Sequence, residues 1–144
     1  MLLLDTNVVS EMRKIRSGNA DRNVASWAKS LGAAESFVSA ITIHELEIGV
    51  RRMERRDTLQ GALLRAWLTE YVLPAFAGRI LVVDTATALR GAALQVPDPK
   101  PELDVLIAAT ALVHGLTLVT RNVADFQGTG VALINPWDSP RPKR

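Results

Sequence analysis

Short apolar runs alternate along the chain with longer stretches in which apolar residues recur every three or four positions. Leu2 to Leu4 is a continuous apolar run that stops at Asp5. Ile80 to Val83, Leu116 to Val119 and Val131 to Ile134 are similar short runs, and Ser36-Phe37-Val38-Ser39 reads as a further strand. Runs of this length suit strands, and the first suits a strand buried on both faces, as in a parallel sheet. Asp5 to Glu11 reads as a turn entering a short helix, and Arg16 to Asn19 as a loop. Asp21 to Leu31 sets Val24, Trp27, Ala28 and Leu31 at helical spacing and stops at Gly32. Thr42 to Arg56 predicts a helix with Ile43, Leu46, Val50 and Met53 along one side. Asp57 caps the next helix, expected to end near Val72 because Pro74 follows. Asp84 opens a helix running to about Gln95, and Val96-Pro97-Asp98-Pro99-Lys100-Pro101 breaks it. Glu102 to Val113 is apolar nearly all round, the mark of a buried helix, and His114-Gly115 ends it.

Strands alternating with helices predict an α/β fold with helices covering both faces of the sheet. The fifth strand, short and late, is expected at an edge. With 144 residues and no linker or repeat, a single domain over residues 1–138 is expected, followed by a basic tail, 139–144. Apolar residues at 48% and charged residues at 22% place the chain among globular rather than disordered proteins. No apolar run reaches the roughly 18 residues of a membrane span, and the N-terminus has no basic lead-in, so it reads as a strand and not a signal peptide. A cytoplasmic protein is expected. The absence of cysteine excludes disulfides and thiolate metal sites, leaving oxygen ligands and two histidines. The net charge of +2 says little about partners, because three cations lie in the last four residues.

The acidic residues are more informative by position. In open α/β sheets ligands bind at the carboxyl ends of the strands. Asp5 ends the first strand, Glu45 opens the helix after the second, Asp104 lies in the first turn of the helix leading into the fourth, and Asp125 follows the fourth. All four can meet at one edge of the sheet. Each also has a local explanation. Asp5 and Asp125 are placed to cap helical turns. Thr42 and Glu45 have the spacing of a capping box, and Asp104 suits the positive end of its helix. Asp104 nevertheless has apolar neighbours, where a lone carboxylate is costly unless paired or bound to a cation. Asp84, which opens a helix with no further motif, reads as a cap alone.

Two carboxylates about 5 Å apart repel by roughly 3 kcal/mol at an effective dielectric near 20. Four in one pocket hold protons or capture a cation. Oxygen donors without thiolate select Mg²⁺ or Mn²⁺, which activates water and stabilises phosphate charge, as phosphodiester cleavage requires. Around the acids, Asn7 is expected to orient Asp5 through its amide, and Thr6 and Thr120 to hydrogen-bond a carboxylate or a bound water. Arg121 is a candidate for a scissile phosphate. Arg51, Arg52, Arg55 and Arg56 form either a solvated helix face or an edge that tracks phosphates. His44 points away from Glu45 and belongs to a surface, and His114 to a helix end. The helix from Asp57, with Leu63, Leu64, Trp67 and Leu68, is either core or a partner surface.

Four blocks in order carry a family resemblance: Leu2-Leu3-Leu4-Asp5-Thr6-Asn7-Val8-Val9-Ser10-Glu11; Ser39-Ala40-Ile41-Thr42-Ile43-His44-Glu45-Leu46-Glu47-Ile48-Gly49; Leu103-Asp104-Val105-Leu106-Ile107-Ala108-Ala109-Thr110-Ala111; and Leu118-Val119-Thr120-Arg121-Asn122-Val123-Ala124-Asp125-Phe126. Together with Asn135-Pro136-Trp137 they resemble the PIN-domain nucleases, specifically the VapC-like and FitB-like toxins of bacterial toxin–antitoxin pairs. The resemblance implies a three-layer fold with a five-stranded, mostly parallel sheet, and a Mg²⁺- or Mn²⁺-dependent endoribonuclease. It implies that Asp5, Glu45 and Asp104 are the main catalytic and metal-binding acids and Asp125 a fourth, more variable one. It further implies a homodimer, an RNA substrate, and a cognate antitoxin whose tail enters the acidic pocket. Val105 departs from the small residue usual after the third acid. A non-catalytic PIN-like binding or assembly module is the main alternative. A phosphoryl-transfer enzyme with Asp5 as nucleophile fits less well, since Asn7 stands where such enzymes place a second acid.

Overall fold

The computed structural model describes residues 1–138; the basic segment 139–144 lies outside the described residues. Five strands form one sheet: β1 (Leu2–Leu4), β2 (Ser36–Ser39), β3 (Ile80–Leu81), β4 (Thr117–Val119) and β5 (Leu133–Ile134). Their order is β3-β2-β1-β4-β5, and all four pairings are parallel. β1 is central, with Leu3 opposite Phe37 on one side and Leu118 on the other. β1 and β2 have the expected bounds, β3, β4 and β5 are shorter than their runs suggest, and β5 does lie at an edge.

The alternation of side chains along each strand divides the core in two. Leu4, Val38 and Val119 face a layer made by α1 (Thr6–Met12), α3 (Ala40–Arg56) and residues 68–76, through Val8, Leu46, Val50, Leu68 and Phe76. Leu3 and Leu118 face the opposite layer, built on α7 (Glu102–His114) through Ile107, Ala108 and Ala111. This is the expected three-layer α/β arrangement. The apolar circumference of α7 is explained by its burial against the sheet on one side and α6 (Thr85–Leu94) on the other. Gly91 of α6 faces α7 closely, since a Cβ there would stand 3.3 Å from Leu106 Cδ2. Gly115 ends α7 in the left-handed conformation (φ 65°) that favours glycine.

Caps fall where short polar residues precede the helices. Asp21 accepts from Asn23 and Val24 N–H to start α2 (Arg22–Lys29), Asp57 accepts from Gln60 to start α4 (Thr58–Trp67), and Asp84 accepts from Thr87 to start α6. Two boundaries differ from expectation. The helix carrying Glu45 begins at Ala40 rather than Thr42, capped by the Ser39 hydroxyl, which accepts from Ile41 N–H at 3.0 Å. The chain also does not stop before Pro74. After Trp67 it widens into a π-helical turn, Leu68–Val72, in which Leu73 N–H donates to the Leu68 carbonyl, and it continues as a short α5 (Leu73–Ala75). Proline lacks an N–H and crowds the carbonyl four residues back in an α-helix. The wider turn upstream accommodates it.

Candidate active site

The strand order reverses direction at β1: β2 and β3 lie on one side of it and β4 and β5 on the other. A crevice opens where such a sheet switches direction, beyond the carboxyl ends of the two strands. Asp5 and Thr120 directly follow β1 and β4. The Asp5 N–H donates to the Val119 carbonyl at 2.9 Å, which extends the ladder to the lip of the crevice. The Asp5 carboxylate is nearly buried, 6% exposed, and both its oxygens are held. Thr6 N–H donates to Oδ1 and the fully buried Thr120 hydroxyl to Oδ2, each at 2.8 Å. Asp5 is thus the cap of α1 and a member of the site at once. Burial pushes its pKa up; the bonds from Thr120 and Thr6 oppose that, and the charges of Glu45 and Asp125 add to it.

Glu45 comes to the crevice from α3. The early start of that helix removes the capping box: Thr42 lies inside the helix with its side chain fully buried. The Thr6 hydroxyl donates to Glu45 Oε1 at 2.7 Å and lies 3.2 Å from the Thr42 hydroxyl. Glu45 is therefore tied to the residue next to Asp5, as expected of Thr6 in a supporting role, and not to its own helix terminus. Asp104 is the third residue of α7 and is partly buried. Its pKa is raised by burial first and then by Asp5 and Asp125. Asp125 lies in a 3-10 turn, Val123–Phe126, whose buried Phe126 anchors it; the Asp125 carboxylate is exposed at the rim. The four predicted acids are thus linked through one another's fields.

Asn7 does not orient Asp5 directly. Its amide Nδ2 donates to the Thr120 hydroxyl at 3.4 Å and its Oδ1 accepts from Arg121 N–H at 3.2 Å, so it acts on Asp5 through Thr120. The Arg121 guanidinium is exposed and stands 5.3 Å over the Trp137 ring. Arg51 is paired with Glu47 at 2.6 Å, while Arg52 and Arg55 are exposed without an ion pair among the described residues. Arg56 leans on the Met53 sulfur. His44 and His114 are both exposed. Thr42 escaped the sequence reading, disguised as a cap, and Trp137 entered it through the family resemblance alone, without its contact to Arg121.

The donors fit a hard divalent cation. All are oxygens, and Asp5 and Asp104 have pKa values raised by burial first and by neighbouring carboxylates second, a cost that a cation relieves. None of the four acids has a Lys or Arg ion-pair partner among the described residues. Among the described residues no three acidic or imidazole groups make a ready coordination cage; Mg²⁺ commonly uses one or two carboxylates and retains waters.

Acids that feel one another's charge at the switch point of a parallel sheet, between layers of helices, define the class of the molecule. Residues 2–129 match the PIN domain model, and the chain belongs to the PIN-domain family. It is 36% identical to VapC ribonuclease Y4jK of Sinorhizobium fredii, over 96% of this chain and 99% of that protein. It is 39% identical to toxin FitB of Neisseria gonorrhoeae, over 95% and 99%. The crystal structure of FitAcB from Neisseria gonorrhoeae superposes with a TM-score of 0.84 at 37% identity, covering 95% of this chain and 99% of that one. Among the described residues no helix is long and apolar enough to cross a membrane.

Proposed function

We propose that the protein is a Mg²⁺- or Mn²⁺-dependent endoribonuclease and the toxin of a toxin–antitoxin pair, working in the cytoplasm. The observation that carries the reading is the buried Asp5 carboxylate, fixed through both oxygens at the switch point with three further acids around it. Asp5 and Asp104 are the principal cation ligands, with Glu45 and Asp125 completing the acidic surround. A bound cation supplies the charge that acidifies an attacking water and neutralises the phosphate. Thr120 and Thr6 hold Asp5 and Glu45 in fixed orientations, so that little reorganisation is needed when the cation and RNA arrive. Arg121, beside Thr120, supplies a cation for the RNA backbone, and Arg52 another further along; Arg51 serves only after leaving Glu47.

The partners follow from the relatives. The likeness to toxin FitB supports a cognate antitoxin, and a homodimer is proposed with it. Besides the acidic site expected to take its tail, the antitoxin is proposed to seat a second segment in the groove of about 470 Å³ between α1 and α4, lined by Met12, Ile15, Leu63 and Trp67 and rimmed by Arg13 and Arg16. An amphipathic segment with acidic flanks suits it. The test is cleavage of single-stranded RNA with and without metal. Wild type cleaves with Mg²⁺ or Mn²⁺ and stops with a chelator, while Asp5→Asn and Asp104→Asn each lose at least 100-fold, in line with removal of a group essential to the transition state. Activity that survives both substitutions defeats the site assignment. A wild type that binds RNA without cutting it favours the non-catalytic module.

A further inference from the structure

The described residues hold four arginines stacked on aromatic rings: Arg13 on Trp67, Arg16 on Tyr71, Arg79 on Phe76 and Arg121 on Trp137. Arg79 is spent on the carbonyls of Ser36 and Ala75, and Arg16 on the Tyr71 hydroxyl. Arg13 lines the groove between α1 and α4. Arg121 alone stands at the carboxyl edge of the sheet, one residue from the Thr120 hydroxyl that holds Asp5. We propose that Trp137 is a positioning residue for RNA binding, holding the Arg121 guanidinium as a fixed phosphate fork at the rim of the acidic crevice.

Several contacts immobilise this pair. Asn7 accepts from Arg121 N–H at 3.2 Å and Asn135 Nδ2 donates to the Arg121 carbonyl at 3.4 Å, so the residue is tied at both ends of its backbone. Asn135 Oδ1 in turn accepts from Trp137 N–H at 2.9 Å, and Asn23 Nδ2 donates to the Trp137 carbonyl at 2.7 Å. The Trp137 ring packs against the buried cluster around Leu4 and Val119. Because β5 runs parallel to β4, the Asn135-Pro136-Trp137 turn that follows it lies on the same edge as Asp5. An arginine on a ring face keeps its N–H donors free around its own edge, the geometry that grips a phosphate through two oxygens. Arg121 forms no ion pair with a carboxylate among the described residues. Stacking removes rotamer freedom before the ligand arrives, so less is lost on binding.

The inference rests on the ribonuclease reading for its ligand, and the experiment separates the two. Binding of a labelled single-stranded oligouridine is measured against salt in a chelator, and cleavage of the same RNA with Mn²⁺. Arg121→Gln lowers the salt slope by about 0.7, one phosphate contact on a single strand. Trp137→Leu does the same, and the double variant binds no worse than the poorer single one. Trp137→Phe restores most of the loss. Arg121→Lys keeps the charge, and it raises the RNA concentration for half-maximal cleavage several-fold while the limiting rate changes less, because lysine presents no planar fork. It lies on an exposed side chain and does not threaten the fold. The proposal is overturned if Arg121→Lys matches wild type, if the single losses multiply, or if Trp137→Leu lowers Tm with an unchanged slope. A wild type that binds RNA but does not cut it, with the slope still moved by both variants, leaves the fork standing and removes the nuclease. Cleavage with an unmoved slope does the reverse.

Discussion

Thr120 carries more consequence than its size suggests. Its hydroxyl is the largest influence opposing the burial that raises the Asp5 pKa. Asp5 must be ionised to take a cation, so the acidic limb of the rate profile reports its titration. Thr120→Val removes a bond to the ionised form, and the limb moves to higher pH; Thr120→Ser leaves it near wild type. A full pH–rate profile for each checks this, and an unmoved limb for Thr120→Val separates Asp5 from the controlling titration. At this scale the sequence was unevenly legible. Asp5 and Asp104 can be picked out because their chain positions and apolar surroundings are local facts. Glu45 is hidden by a pattern equally local: Thr42-Ile43-His44-Glu45 has capping-box spacing, and only the competing Ser39 hydroxyl decides where the helix starts. Asn7 and Trp137 have partners in distant segments, Thr120 in one case and Asn23 in the other, which no window of sequence brings together.

Among the elements, α3 and α4 form the tightest joint. Gly61 lets α4 lie against the backbone of Glu54, where a Cβ would come within 2.7 Å of the Glu54 nitrogen. Beside it Arg65 forks onto Glu47 at 2.6 and 2.8 Å and reaches Glu54 at 3.0 Å. Arg65 and Arg51 hold the Glu47 carboxyl down to about 2. Gly61→Ala pushes two helices apart and costs about 1–3 kcal/mol, the range for overpacking, which thermal or urea unfolding measures. At the other face of α4, Leu63 is 58% exposed over the groove beside Trp67. Leu63→Glu therefore abolishes antitoxin binding in a pull-down with the cognate partner and leaves RNA cleavage intact; retained binding removes the groove from that role. Helix positions were legible from periodicity and caps because both act within one turn. The ends of β3, β4 and β5 and the passage through Pro74 were not, since pairing with neighbours sets the first and a change of helical pitch the second.

For the whole molecule, the acids that make the crevice useful also work against the fold. A carboxyl whose pKa is raised on folding leaves stability intact below its unfolded value, and takes it away as pH rises through the folded one. Both Asp5 and Asp104 behave so. Asp104→Asn is expected to raise the metal-free Tm by about 1–3 °C at pH 7.5 and to leave it unchanged below pH 3. Mn²⁺ raises the wild-type Tm at pH 7.5, with the gain fading as pH falls through the carboxylate range; a gain independent of pH dissociates the cation from these acids. The α/β class and the sheet edge that hosts the acids were legible because alternation of strands and helices is a global pattern. The hydrogen bond from Thr120 to Asp5 joins residues 115 positions apart, and that span has a meaning for the life of the chain. During synthesis β1, β2 and β3 emerge first, and Asp5 then has neither the hydroxyl that holds its Oδ2 nor the strand that shields it. Until β4 arrives the nascent chain carries Asp5, Glu45 and Asp104 without the hydroxyl that fixes Asp5, so the ribonuclease activity proposed above is withheld by the order of translation.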